Sequence, residues 1–363
     1  MKSRLNRERL YRTLTTLDIF VDRCLGLKPK SETLSGFNYN SDIIYAAVAN
    51  TYVETVGNKA DSLHLAIKKI NISDIYLEYL ETVKITGKRV DLYDKDVILA
   101  FDYTDENYYG VLEGFWIHSW TGEKAVKGKF KFLTCAIVCT TAPIRVPLIS
   151  IPIPIGHNMA ESVVYCTKLI QPLVKSIMLI LFDRGFYSKE LMIKLADYSY
   201  PYLIFVPKNK RVKKELEEMV NNEKKTIYYE FKLYKDKTTR KGSTTLAFLK
   251  QIYDKKSDNN YDWTFATNIN KIDLDGIIWE YRKRWRIETM FRVQDEAQIM
   301  SKSKDIRIRF FYFVYAQVLQ LIWAVVFKEK VGFKEFLILL NETAKERAEK
   351  AERRARRSQT KTI

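Results

Sequence analysis

One stretch, residues 277–299 (IIWEYRKRWRIETMFRVQDEAQI), constrains this chain more than any other. It holds neither proline nor glycine, and apolar residues recur at three- and four-residue spacing (Ile277, Ile278, Trp285, Ile287, Met290, Phe291). That spacing predicts one helix of about six turns. At about 100° per residue, Tyr281, Arg284, Glu288 and Asp295 fall within a sector of about 60°. A phenol, a guanidinium and two carboxylates therefore share one face of an otherwise apolar and basic helix. Surface pairing of Arg284 with Glu288 and of Glu288 with Arg292, each at i,i+4 spacing, accounts for such a face equally well. The chain's other carboxylates shift the balance.

Two apolar runs close on an aspartate. VILAF leads into Asp102, and IMLILF into Asp183, which Arg184-Gly185-Phe186-Tyr187 follows directly. A lone buried carboxylate is costly, so such a residue is either a turn former or a ligand aimed out of a sheet's end. Two buried strands with aspartates at their carboxyl ends suit a site at a sheet edge, and Glu288 adds a third acid from a helix. Asp105 rivals Asp102, but the strand alignment with Asp183 favours Asp102. Three carboxylates point to hard cations with oxygen ligands, Mg²⁺ or Mn²⁺. Two such ions, about 3.5–4 Å apart, can serve an in-line phosphoryl displacement, with Asp102 as the bridging acid.

Charge narrows the partner. Sixty-one basic against 44 acidic residues give +17 and a pI near 9.4, a field that favours polyanions over small acidic metabolites. The 363 residues, 47% hydrophobic, suffice for two or three structural units with a sizeable core. Four cysteines are too few for a disulfide framework and indicate a reducing, intracellular compartment. The first residues lack the apolar run of a secretory signal. Residues 310–327 would only just cross a bilayer, and Gln317 and Gln320 interrupt them; a helix buried in a soluble core is the expectation. Cys135 and Cys139 have no second pair, which argues against zinc. Three scattered histidines and the lack of G-x-S-x-G argue against a hydrolase triad, and no Walker-type loop supports ATP hydrolysis. Trp263 is expected in the core, with stacking on an extruded base as the alternative.

Along the chain, residues 1–94 are helical in pattern, with a break within 27–40, and suit a DNA-binding or dimerising region without a clear helix-turn-helix signature. From 95 the pattern changes to three successive strands, at 97–103, 131–140 and 144–152, the last bearing prolines of an edge strand. Helix, strand, helix and strand then alternate to residue 207. The order predicts an α/β fold with a mixed sheet and flanking helices, the ribonuclease H-like arrangement. Residues 208–256 carry 15 basic and 7 acidic residues and two strand-like runs. Residues 208–259 are therefore read as a basic, β-rich insertion between the second aspartate and the glutamate. Core residues 95–207 resume at 260–340, and 341–363 form a basic tail, fraying or disordered, available for phosphate contacts.

These motifs together resemble the DDE transposases of prokaryotic insertion sequences, in the group with a Tyr-x2-Arg-x3-Glu-x6-Lys signature on the catalytic helix. Tyr281, Arg284 and Glu288 match that spacing, Asp183 to Tyr187 resembles the second-aspartate motif, and Phe101 to Asp105 the first. The likeness covers about residues 95–325. It implies Asp102, Asp183 and Glu288 as catalytic acids and ligands of two Mg²⁺ or Mn²⁺ ions. It also implies contacts to DNA by Tyr281, Arg284, Arg292 and Lys302. The implied partners are double-stranded transposon ends and target DNA, bound by a homodimer in a synaptic complex in the cytoplasm, at the nucleoid, with no membrane association. The signature's lysine is Asp295 here, a charge reversal for which Arg292, Lys302 or Lys304 are the replacements. A ribonuclease H-like nuclease or resolvase, and a catalytically decayed DNA-binding derivative, are the alternatives.

Overall fold

The computed structural model describes every residue except 1, 28–36, 58, 141–143, 236, 255–256, 329 and 360–363, and it describes no side chains at 2–6 or 355–359. The break expected within 27–40 falls largely outside the described residues. Four helices come first: α1 (Lys2–Cys24), α2 (Phe37–Ala49), α3 (Ala60–Ile67) and α4 (Ile72–Gly87). Strands β1 (Asp96–Tyr108), β2 (His118–Ser119), β3 (Gly128–Thr140) and β4 (Val146–Pro152) follow. Next come α5 (Met159–Ile170), β5 (Ser176–Phe182), α6 (Lys189–Asp197), β6 (Tyr202–Phe205) and α7 (Lys210–Glu217). The chain continues through β7 (Lys224–Lys235), β8 (Thr238–Asp254) and β9 (Asn259–Thr267). It ends in α8 (Ile277–Arg282), α9 (Trp285–Asp295), α10 (Ile306–Ile322) and α11 (Phe333–Gln359). Side-chain caps fix several helix starts: Asn158, Ser188, Asn209 and Asp305 each accept a first-turn backbone N–H.

All nine strands form one mixed sheet in the order β2-β3-β1-β5-β6-β9-β8-β7, with β4 also pairing β3. β1 is antiparallel to β3 and parallel to β5, and β5 is parallel to β6. β4 pairs only β3 among the described residues, an edge position that tolerates Pro147 and Pro152. The long β7–β8 ribbon extends this same sheet, because β9 pairs β8 on one side and β6 on the other.

The two faces of the sheet bury different partners, and strand alternation sorts the residues between them. Leu99, Phe101, Ile180 and Phe182 belong to a large apolar cluster shared with α1, α2, α4, α5, α6, α10 and α11. Ile98, Ala100, Leu179 and Leu181 belong to a second cluster with Ile277, Tyr281, Ile287 and Met290 of α8 and α9. The period of two then places Asp102 and Asp183 on the α8/α9 face.

Three elements differ from expectation. β1 does not turn after Tyr103 but runs on to Tyr108, because its polar residues remain laddered to β3 as far as Tyr108 opposite Gly128. The helix read as continuous over 277–299 breaks at Lys283–Arg284 and ends at Asp295. Third, the basic tail, as far as Gln359, continues α11, which packs on α1 and α2. There Arg347 meets buried Asp18 at 2.6 Å, Asn40 donates to Asp18 at 2.6 Å, and Tyr315 donates to Asn40 at 2.7 Å.

The apolar stretch of α10, prolonged by a π turn over Trp323–Phe327, is long and apolar enough to cross a membrane, yet 72% of that window is buried inside the fold. Its glutamines have internal partners. Gln317 accepts from Ser150 at 3.0 Å and Gln320 donates to the Met290 carbonyl at 2.7 Å.

Candidate active site

Asp102 lies midway along β1, level with the carboxyl end of its parallel neighbour β5, whose Leu181 pairs with Ala100. Asp183 is the first residue past β5. The site therefore forms where β5 stops and β1 continues. Asp183 accepts the Gly185 N–H at 2.9 Å and so opens a one-turn helix, Arg184–Phe186. A side chain at position 185 would bring its Cβ to 3.1 Å from the Asp183 carboxylate, a cramped approach that suits glycine. Asp102 accepts the Tyr103 N–H at 2.9 Å. Backbone groups thus orient one oxygen of each aspartate.

Glu288 reaches the same place from the first turn of α9. Arg284, at the break before α9, spans the acids: its guanidinium donates to Asp102 Oδ2 at 3.1 Å and to Glu288 Oε1 at 2.5 Å. The Arg284 side chain is only 8% exposed, against 17% for Asp102 and 43% for Glu288. Burial pushes the Asp102 carboxyl up to about 6; Arg284 opposes this, and the neighbouring charges of Asp183 and Glu288 add to it. Asp102 therefore feels both other acids, as carboxylates close to one another do.

Tyr281 is buried, with its ring 5.0 Å from that of Phe265 and 5.6 Å from that of Phe205. Burial raises its phenol to about 12, while adjacent Arg284 pulls it down. Beside the acids opens a cleft of about 360 Å³, lined by Asp183, Arg184, Trp263, Tyr281, Arg284 and Trp285 among others. Trp263 is thus a wall of this cleft and not wholly interior. Arg282 lies over both the Trp263 and Trp285 rings, 5.8 Å from each centroid, and pairs with Asp254 at 2.8 Å.

The structure does not bring every expected residue here. Lys302 sits 5.0 Å over the Tyr52 ring and lines a separate groove with Asn107, Tyr108 and Arg309. Arg292 is exposed on α9. Among the described residues Asp295 makes no hydrogen bond or ion pair with the acids' site: its carbonyl accepts from Asn50 at 2.9 Å, and the exposed residue lines a small cavity with Gln294, Gln298 and Arg309. Asp105 pairs with Lys129 at 3.5 Å. The sequence reading missed Trp285 and Arg286. Arg286 donates to the Val138 carbonyl at 2.9 Å and fastens α9 to β3; its place in a helix rich in arginine gave no signal.

The donor set of Asp102, Asp183 and Glu288 is all oxygen, as Mg²⁺ and Mn²⁺ require. As the side chains stand, no three His, Cys, Asp or Glu among the described residues are grouped to hold an ion, and Arg284 takes up oxygens of two of the three acids.

A family model described as the transposase DDE domain matches residues 95–310. Among solved structures, the fold is similar to that of a piggyBac transposase synaptic complex with hairpin DNA. The TM-score is 0.54 at 11% identity, covering 95% of this chain and 81% of that one. No curated protein sequence matches the chain.

Proposed function

Because this chain belongs to the DDE transposase family, we propose that it cuts DNA at the ends of a mobile element and joins the freed 3′-hydroxyl strand to a target. The observation that carries this reading is one buried arginine, Arg284, joining Asp102 to Glu288, with Asp183 at the adjacent end of β5 close enough to act on the Asp102 carboxyl. We read the core as ribonuclease H-like, on the strand order β4-β3-β1-β5-β6 with the first three antiparallel and the last two parallel to β1. Placement among prokaryotic insertion-sequence enzymes rests on the spacing of Tyr281, Arg284 and Glu288.

In this proposal the chain's own residues divide the work. Asp102, Asp183 and Glu288 hold two divalent cations, Mg²⁺ or Mn²⁺. Such a pair, when bound, stabilises charge on the attacking and leaving oxygens of an in-line phosphoryl displacement. The Tyr103 and Gly185 amides keep Asp102 and Asp183 oriented. Arg284 and the Tyr281 phenol face the position of the scissile phosphate, and a guanidinium fork suits its oxygens. The aromatic walls of the cleft, Trp263 and Trp285, suit stacking on a base displaced from the duplex. Arg292 and Lys302 contact the DNA further along. The substrate is double-stranded DNA, a DNA partner being supported by the similar fold of a synaptic complex with hairpin DNA, and two copies act on paired ends in the cytoplasm.

The test uses the full chain, Mn²⁺ and DNA carrying the element's terminal repeats. Asp102→Asn, Asp183→Asn and Glu288→Gln should each lower nicking and joining by several orders of magnitude while binding persists. Cleavage retained in all three variants would sink the proposal, and nicking without strand transfer would turn it towards a nuclease or resolvase. Asp295 in place of the signature lysine favours one second reading, a DNA-binding derivative that has lost catalysis; wild-type protein that binds but never nicks would establish it.

A further inference from the structure

Arg284 occupies an unusual position for a residue expected to meet a DNA phosphate. Both of its terminal nitrogens are already engaged, one by Asp102 at 3.1 Å and the other by Glu288 at 2.5 Å. Its Nε is buried and unpaired among the described residues. A buried guanidinium with an unsatisfied N–H is not in its best available environment. It also sits at the one break in the catalytic helix. Across that break the backbone bonds tighten to i→i−3, from Arg284 N–H to the Tyr281 carbonyl at 2.9 Å and from Ile287 N–H to the Arg284 carbonyl at 2.9 Å. Beside it lies the open cleft, which Arg284 itself lines. The side chain thus has somewhere to go and a local backbone irregularity to turn on.

We propose that Arg284 is an internal counter-ion of the DNA-free protein: it holds Asp102 and Glu288 together, competes with divalent cations for them, and yields the pair when a cation binds. The inference rests on the metal-site reading above. The charge balance supports it. Three acids that repel one another need a cation to stay together, and Arg284 is the positive group seen bonded to two of them. Once a divalent cation neutralises the acids, the guanidinium loses its partners and is repelled. Its two terminal nitrogens then turn to the cleft, where a phosphate offers two oxygens in matching geometry. The same side chain would weaken metal binding as long as no substrate is present.

The measurement is Mn²⁺ affinity of the full chain without DNA, read by the loss of free Mn²⁺ signal in electron paramagnetic resonance. Arg284→Gln should bind Mn²⁺ about tenfold more tightly than wild type, and Arg284→Lys should fall between. Equal or weaker binding by Arg284→Gln overturns the inference. Wild-type protein gives a second readout that needs no variant: phenylglyoxal modification at Arg284, followed by mass spectrometry with Arg286 as internal reference. Mn²⁺ should speed that modification several-fold, and an unchanged or slower rate overturns the inference. Asp102→Asn separates the two failures. If it abolishes Mn²⁺ binding while Arg284→Gln leaves it unchanged, the metal site stands and only the counter-ion role falls. If Asp102→Asn changes nothing, the metal-site reading itself falls.

Discussion

Four residues beyond Asp102 on the same strand, Glu106 shows how strongly burial acts on a carboxylate in this fold. It pairs with Arg309 at 2.6 Å, and Arg309 in turn donates to the Ser303 carbonyl and lies 4.6 Å over the Phe130 ring. Burial nevertheless pushes Glu106 from its ordinary 4.5 up to about 7, against the pull of Arg309. The folded protein therefore holds a proton that the unfolded chain has lost between those two values. Stability present below pH 4.5 should fall as pH rises towards 7, by up to about 3 kcal/mol. Glu106→Gln should flatten this slope in urea denaturation measured from pH 4.5 to 7.5. A wild-type slope of the opposite sign would show that the ion pair outweighs the burial. At this scale Asp102 and Asp183 stood out because carboxylates closing apolar runs are costly to bury alone, and Glu288 because it shares a helix face with Arg284. The place of Asp295 was not legible, since its spacing on an ideal helix puts it in the same sector as Glu288. The structure instead turns it to a cavity and fixes its carbonyl with Asn50.

The segment from α8 to α9 illustrates the gap between periodicity and geometry. Its apolar spacing marked Ile287 and Met290, which face the sheet, but set Tyr281 with the charged residues, whereas the structure buries Tyr281 in the same cluster. The break at Lys283–Arg284 has no local cause such as proline or glycine; it accompanies the demands of tertiary partners. Lys283 is buried, bonded to Glu280 at 2.6 Å and 4.1 Å over the Trp279 ring, while Arg284 is drawn to the acids. Behind α9 a polar chain crosses the core. Thr134 on β3 shares a hydrogen bond with Ser150 on β4 at 2.7 Å, Ser150 donates to Gln317 on α10, and Gln317 donates to Gln294 on α9 at 3.4 Å. Gln317→Leu would leave the Ser150 hydroxyl without its acceptor in a dry core. A loss of about 1–3 kcal/mol is expected, measurable by chemical denaturation. An unchanged midpoint would mean that the hydroxyls satisfy each other.

For the molecule as a whole, +17 spread over 363 residues sets the binding mode more than any single contact. Affinity for duplex DNA should fall steeply with salt as phosphate counterions are released, linearly in log–log form. Because that term comes from surface cations, Asp102→Asn should keep the slope while losing cleavage, as fluorescence anisotropy between 50 and 300 mM salt (roughly a twofold change in Debye length) can show. A slope that collapses with the substitution would tie binding to the acid site instead. The sequence by itself determined the alternation of strands and helices, the two aspartates after apolar runs, the i,i+4 pairing of Arg284 with Glu288, and the burial expected of α10. Those are properties of short-range period and of the cost of burying charge, which act within a few residues. Only the tertiary structure decided that β1 runs past its parallel neighbour, that the basic ribbon extends the central sheet, and that the tail helix closes on α1 and α2. It alone put Arg284 between the acids. Each of these depends on which surface or charge happens to lie opposite in space, and nothing in local sequence encodes that.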